Sequence, residues 1–227
     1  MDKGFQHAVI LAAGRGTRMG PLTEVIPKPM APLGGSTLIL NGVKRILHCI
    51  PQVHVTVGYK AKMLAEHVIE EGVSSIISTE GKGNAWWLFY SLLSHIDEPV
   101  VVLTCDNLTE LEFDKLFEDY IDLGSPACMV VPVAPVEGLD GDYIFHKAQV
   151  VTHLSREEQA ATYCSGIQVI NPRKINKLVK PDEDFGDVWD CLMEQNQLMV
   201  SRVLPTKWFT VDTINSLSEA NQLKDFH

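Results

Sequence analysis

Short apolar runs alternate with amphipathic stretches along this chain, and that alternation predicts an α/β fold. Ala8–Ala12 (AVILA) reads as a buried first strand running into a Gly-rich loop from Gly14 to Gly20. Ser36–Cys49 reads as a helix, capped by Ser36 or Thr37, with Leu38, Leu40, Val43, Ile46 and Leu47 on one face. A strand over Val53–Val57, a helix over Lys62–Glu71 and a short strand over Ser74–Ser78 follow. Asn84–His95 is apolar almost all round, which predicts a deeply buried helix. Pro99–Thr104 (PVVVLT) is a continuous apolar run of the kind found in a central parallel strand, and it ends in Cys105-Asp106-Asn107.

A helix over Leu111–Leu123 and a strand over Ala127–Val133 continue the pattern. From Val136 to Asn171 the texture changes, and Gly, Asp, Tyr and alternating residues predict a meander or hairpins. Phe185–Gln195 reads as helical, Met199–Leu204 as extended and Thr213–Lys224 as a closing helix. The expected architecture is a Rossmann-like αβα sandwich with a mostly parallel central sheet. Its β-rich second half forms one wall of a cleft. A single domain is expected over 1–227.

Composition narrows the function. Hydrophobic residues at 45% and charged residues at 21% exclude a disordered chain and a collagen-like one. Lys plus Arg number 19 against 29 Asp plus Glu, a net charge of −10, which argues against a partner held by its nucleic-acid backbone. The cysteines Cys49, Cys105, Cys128, Cys164 and Cys191 form no CxxC pair, as expected of reduced thiols in a cytoplasmic protein. No window approaches the roughly 18 apolar residues of a membrane span, and His7–Ala13 lacks the flanks of a signal peptide.

The most informative segment is Leu11–Pro32 (LAAGRGTRMGPLTEVIPKPMAP). A strand running straight into glycines lets backbone N–H groups close around a phosphate. Arg15, Arg18 and Lys28 face a single acid, Glu24, so the stretch is basic in an acidic protein. Glycines alone would equally suit a plain surface loop. A dinucleotide fingerprint is excluded because the third glycine, Gly20, comes one residue late, and no Walker GK[ST] string exists.

Gly14-Arg15-Gly16-Thr17-Arg18-Met19, then Pro21-Leu22-Thr23, then Pro27-Lys28-Pro29-Met30, resembles the signature GxGTR(M/L)xPLTxxxPKP(M/L) of the sugar-1-phosphate nucleotidyltransferases. The match is complete from Gly14 to Met30 and continues loosely through Val57-Gly58-Tyr59-Lys60, Gly81–Ala85, Asp106, Ser165-Gly166-Ile167 and Trp208–Thr213. The short chain is similar to compact members such as the muramate-phosphate uridylyl- and heptose-phosphate guanylyltransferases. The resemblance implies the nucleotide-diphospho-sugar transferase fold and transfer of an NMP from an NTP to a sugar 1-phosphate, with 1–135 as the nucleotide-binding half and 136–227 as the half for the acceptor and a second metal ligand. It implies Arg15 and Lys28 as catalytic residues, and Leu11, Ala13, Gly14, Gly16, Thr17, Arg18, Gly81, Gly83 and Asn84 as nucleotide contacts. Asn107, Ser165 and Gly166 would meet the acceptor.

Nucleotidyl transfer needs a divalent cation, and Mg²⁺ takes one or two carboxylates together with water and phosphate oxygens. Asp106 stands at the carboxyl end of an apolar strand, where open α/β sheets place ligands, although its spacing would also suit a cap for a helix starting near Thr109. The second family aspartate falls in Trp208-Phe209-Thr210-Val211-Asp212-Thr213, where Thr210 stands for the usual first acid. That leaves Asp212 as a second ligand or as an N-cap of the last helix. The family's sugar-phosphate Glu-Lys pair has no clean counterpart, with Lys147 or Arg156 as substitutes. Two alternatives remain: a cytidylyltransferase acting on phosphocholine or a phosphonate, with Tyr143, Tyr163, Trp189 and Trp208 as an aromatic cage, and a non-catalytic nucleotide sensor.

Overall fold

The first apolar run forms strand β1 (His7–Leu11), buried on both faces: Ala8 and Ile10 enter one core while Val9 enters the other. In the computed structural model, which describes residues 4–136, 139 and 141–223, β1 leads through the Gly-rich loop into helix α1 (Pro21–Val25). A small ribbon, β2 (Pro32–Leu33) with β3 (Ser36–Thr37), introduces helix α2 (Leu38–Leu47). The Thr37 hydroxyl caps α2 by accepting from the Leu40 N–H. Strand β4 (Gln52–Val57), helix α3 (Ala61–Ile69) and strand β5 (Ser75–Ser78) complete the first half of the winding.

The expected helix over Asn84–His95 is broken. Helix α4 (Trp86–Tyr90) stops at Ser91, whose backbone is extended and whose hydroxyl both donates to the Trp87 carbonyl and accepts from Leu93 N–H; a 3₁₀ turn covers Leu92–His95. Trp87 and Leu88 are fully buried, but Leu92 is 88% exposed, so the uniform apolarity does not mean uniform burial.

Strand β6 (Val100–Thr104) then inserts beside β1. After it come strand β7 (Asn107–Glu110), helix α5 (Phe113–Asp122), strand β8 (Cys128–Val133), the hairpin of β9 (Tyr143–Lys147) with β10 (Val150–Ser155), and the long strand β11 (Tyr163–Ile170). The chain ends its described course with helix α6 (Pro172–Leu178), helix α7 (Phe185–Glu194), strand β12 (Leu198–Val200), strand β13 (Lys207–Thr210) and helix α8 (Ile214–Ala220). Of the extended run expected over Met199–Leu204, only the start is strand.

The main sheet has the order β5-β4-β1-β6-β11-β8-β12-β10-β9, and only β11 and β10 run against the rest. The mixed α/β sandwich with a mostly parallel sheet is therefore present. Residues of α2, α3 and α5 pack on one face, and those of α4, α6 and α7 on the other. The winding moves outward from β1 through β4 to β5, then returns to place β6 on β1's opposite side. The carboxyl ends of β1 and β6 thus form the topological switch point, where such sheets leave a crevice. The Gly-rich loop leaves β1 there, and Asp106 follows β6.

A third, smaller core lies outside the sheet. It joins Met19 of the loop and Leu22 of α1 to Leu108 of β7, Val211, and Leu217 and Ala220 of α8.

Candidate active site

Two glycines shape the loop. Gly16 has φ +67°, a conformation that costs an L-residue with a side chain, and a Cβ there would lie 2.5 Å from Lys28 Cβ. The absent side chain gives passage to the Lys28 stem. Beneath the loop, Gly58 allows the Tyr59 N–H to reach the Ala13 carbonyl at 2.9 Å; a Cβ at Gly58 would sit 2.7 Å from that same oxygen. The Tyr59 ring then underlies Arg15, whose guanidinium carbon lies 5.2 Å from its centroid. Tyr59 Oη and Lys60 Nζ both donate to α1 carbonyls, at Thr23 and at Glu24 and Val25. The Val57–Lys60 segment thus buttresses the loop.

Lys28 is 7% exposed, and its ammonium donates to Asp106 Oδ2 at 2.6 Å and to Asp212 Oδ1 at 2.7 Å. Arg18 Nη2 adds a contact to the same Asp212 oxygen at 2.9 Å. Burial works against the charged Lys28, but the two carboxylates outweigh it and hold its pKa above the ordinary lysine value. Two aspartates from distant parts of the chain therefore converge on one positive charge.

Neither aspartate is a helix cap. Behind Asp106 the chain enters β7, which pairs antiparallel with β13 in the register Asn107↔Thr210. The helix expected at Leu111 begins only at Phe113. The cap of α8 is Thr213, which forms a capping box with Ser216. That leaves the Asp212 carboxylate for Lys28 and Arg18.

Two clefts lie along the loop and this ion cluster. One, of about 230 Å³, is lined by Leu11, Ala13, Gly14, Gly81, Gly83 and Asn84, together with Tyr59 and Lys82. Six of the expected nucleotide contacts therefore meet around one space, while Gly16 lies against Lys28, Thr17 is exposed on the loop's 3₁₀ turn and Arg18 turns to the second cleft with Asp212. Asn84 is already engaged, since its Oδ1 accepts from Phe185 N–H at 2.9 Å. Gly83 packs so tightly on Glu183 that a Cβ would overlap its carbonyl. The second cleft, of about 260 Å³, is lined by Arg18, Asp106, Asn107, Ser165, Gly166 and Asp212, with Tyr163 and Trp208 among its other residues.

The three residues expected at the acceptor are tied to one another. Asn107 Nδ2 and Trp208 Nε1 both donate to the Ser165 carbonyl, at 2.6 and 3.0 Å. The Ser165 hydroxyl turns inward to the Val131 carbonyl. Gly166, at φ +80°, would drive a Cβ to 2.7 Å from Asn107 Nδ2. Tyr143, Tyr163 and Trp208 pack edge to face in sequence, but Trp189 stacks on Phe185 instead, so the four rings do not form one cage. Arg156 is paired with Asp142.

The sequence reading missed β7, β13 and α6. The strands are four residues each and carry no alternation; α6 had a signal, Asn171 as N-cap followed by Pro172 in the first turn.

Residues 7–225 match the family model described as Nucleotidyl transferase. The chain belongs to that family. It is 25% identical over 233 residues to the mannose-1-phosphate guanylyltransferase catalytic subunit beta of Drosophila pseudoobscura pseudoobscura, covering 97% of this chain and 60% of that protein. It is 27% identical over 251 residues to a glucose-1-phosphate adenylyltransferase of Clostridium botulinum, covering 94% and 64%. This nucleotidyl transferase family member thus spans less than two thirds of the length of either relative. The fold is shared with the inositol-1-phosphate CTP transferase of T. maritima, at TM-score 0.76 and 15% identity over 97% of this chain and 98% of that one. It is shared too with a Bacillus anthracis protein assigned as a glucose-1-phosphate thymidylyltransferase, at TM-score 0.78 and 18% identity over 96% and 94%.

Proposed function

We propose that this chain transfers a nucleoside monophosphate from an NTP to a sugar 1-phosphate, forming an NDP-sugar and releasing pyrophosphate. The observation that carries the proposal is the meeting of Asp106 and Asp212 on Lys28 Nζ, at the wall of one cleft and beside a basic glycine loop that lines the other. In the reaction a phosphate oxygen of the acceptor forms a bond to the α-phosphorus. The bond from that phosphorus to the bridging β-oxygen breaks, and the electron pair leaves with pyrophosphate. The attacking phosphate is ionised near neutral pH, so no general base is required.

Arg15 and Arg18 grip the β- and γ-phosphates, and the loop N–H groups orient them. Lys28 supplies positive charge to the attacked α-phosphate as it becomes more electron-rich. The oxygen donors of Asp106 and Asp212, already gathered on one cation, are a set that Mg²⁺ accepts when phosphate oxygens and water complete it. When bound, that ion neutralises phosphate charge. The half of the chain up to residue 135 binds the nucleotide, and residues 136–227 hold the acceptor and supply Asp212. We assign the enzyme to the cytoplasm, acting on small molecules.

The test is pyrophosphate release with each of four NTPs against sugar 1-phosphates, inositol 1-phosphate, phosphocholine and a phosphonate, with Mg²⁺ or with chelator. Turnover with a sugar 1-phosphate that is lost in chelator and in Asp106→Asn is expected. Release only with phosphocholine or a phosphonate overturns the choice of acceptor, and release with none overturns the activity.

A further inference from the structure

A small cavity of about 90 Å³ joins the two clefts: it shares Leu11 and Asn84 with the nucleotide side and Thr104, Cys164 and Gly166 with the other. Phe185 and Trp189 make its apolar wall. Gln168 of β11 also lines it, although the residue is only 5% exposed. A buried amide facing a cavity is costly unless its polar atoms find partners, so its orientation carries information.

That orientation is fixed by its neighbours. Gln168 Oε1 lies 2.9 Å from Trp189 Nε1 and 3.3 Å from Cys128 Sγ. An indole N–H can only donate. Burial pushes the Cys128 thiol far above its usual pKa, so it keeps its proton and donates as well. Two donors occupy the carbonyl oxygen, and turning the amide over would set N–H against N–H. The –NH₂ end makes no hydrogen bond among the described residues, so its donor pair is left for the cavity.

We propose that Gln168 determines acceptor specificity, presenting amide N–H donors to an oxygen on the body of the acceptor and so selecting a sugar or polyol phosphate over an onium-bearing phosphate. This rests on the nucleotidyl-transfer reading above. A hydroxyl or ring oxygen can accept from the amide, whereas a quaternary ammonium has no lone pair and meets the positive end of the amide dipole. Trp189 and Cys128 act as positioning residues: they touch the Gln168 oxygen and keep the donors aimed.

The test uses ¹⁵N-labelled full-length protein, with the Gln168 side-chain amide assigned by its loss in Gln168→Met. Glucose 1-phosphate, inositol 1-phosphate, phosphocholine and each NTP are titrated separately. The amide resonance is expected to move with a sugar or inositol phosphate and to stay with NTP alone or phosphocholine. In steady state, Gln168→Met should raise the acceptor KM by roughly tenfold or more with the NTP KM within about twofold of wild type. Gln168→Glu still satisfies Trp189 and Cys128 but turns the pole into an acceptor, so the ratio of sugar-phosphate to phosphocholine binding should fall or invert. An amide that moves with none of the three acceptors, or equally with phosphocholine, overturns the inference. So does an unchanged preference in Gln168→Glu. Because the amide shift reads binding, absent pyrophosphate release would sink the transfer reading while leaving this one to stand or fall by itself.

Discussion

The backbone N–H of Val211 donates to the carbonyl of Asp106 at 2.9 Å. This bond prolongs the β7–β13 ladder by one step and brings the aspartates on either side of it to a single lysine. Carboxylates this close repel unless a cation stands between them. The cluster is therefore complete only with positive charge in its centre, whether an ammonium or a metal supplies it.

Asp212→Asn keeps the side chain's shape and removes its charge. Because Thr213 caps α8, the helix itself should be unaffected, and any drop in melting temperature should come from the lost pairing with Lys28 and Arg18. The Mg²⁺ needed for half-maximal rate should rise at least roughly tenfold, as expected when a ligand is weakened. An unchanged Mg²⁺ titration would remove Asp212 from the proposed ligand set.

Lys28→Met removes the charge that the proposed reaction places at the α-phosphate, and kcat should fall by about 10²–10³. It also leaves Asp106 and Asp212 facing each other without their shared partner. The variant should therefore melt lower than wild type in chelator and regain more of its stability on adding Mg²⁺. Calorimetry with and without Mg²⁺ checks both expectations, and equal Mg²⁺ responses in the two proteins would contradict them.

Gly16→Ala places a methyl group where the Lys28 stem runs, at a backbone φ of +67°. The backbone strain alone costs about 1–2 kcal/mol. Displacement of Lys28 should add a loss of activity. Gly14→Ala is the control, since a Cβ there meets nothing within 4 Å. Denaturant melts of the two variants should separate them clearly.

His54 gives a pH signature away from the site. Burial, with the neighbouring His7 adding to it, lowers its pKa to about 4. Its ring nitrogens lie near His7 Nδ1 at 3.1 Å and Ser75 Oγ at 2.8 Å. The folded protein keeps this ring neutral while the unfolded chain protonates it near 6.5. Stability from this group is therefore intact above 6.5 and lost as pH falls toward 4, a change of about 3 kcal/mol. His54→Gln should flatten that part of the stability profile, and parallel profiles for variant and wild type would rule it out.

Much of this was readable from residue order. The PVVVLT run had to be a doubly buried strand, and the basic loop had to follow a strand, because their apolarity and glycine spacing allow little else. Asp212 was harder, since Thr-Val-Asp-Thr before a helix carries two capping residues and nothing local chooses between them. The choice is made by β13, whose KWFT is held by its partner NLTE across a hundred residues of chain. The break at Ser91 was hidden for the opposite reason: a hydroxyl bonding to its own turn overrides a uniformly apolar surrounding. Gln168 looked like an ordinary strand residue, because what orients it, the Trp189 indole, arrives from another helix.

The small third core, where Met19 and Leu22 meet Leu108, Val211 and Leu217, has a consequence for how the protein comes into being. During synthesis the Gly-rich loop emerges early, but Val211, Asp212 and Leu217, which complete its hydrophobic seat and the carboxylate pair, emerge much later. A growing chain can fold much of its sheet yet has no complete ion cluster until the segment around Asp212 has been made. Partly made copies therefore carry the residues of the first cleft but lack the second carboxylate of the cluster.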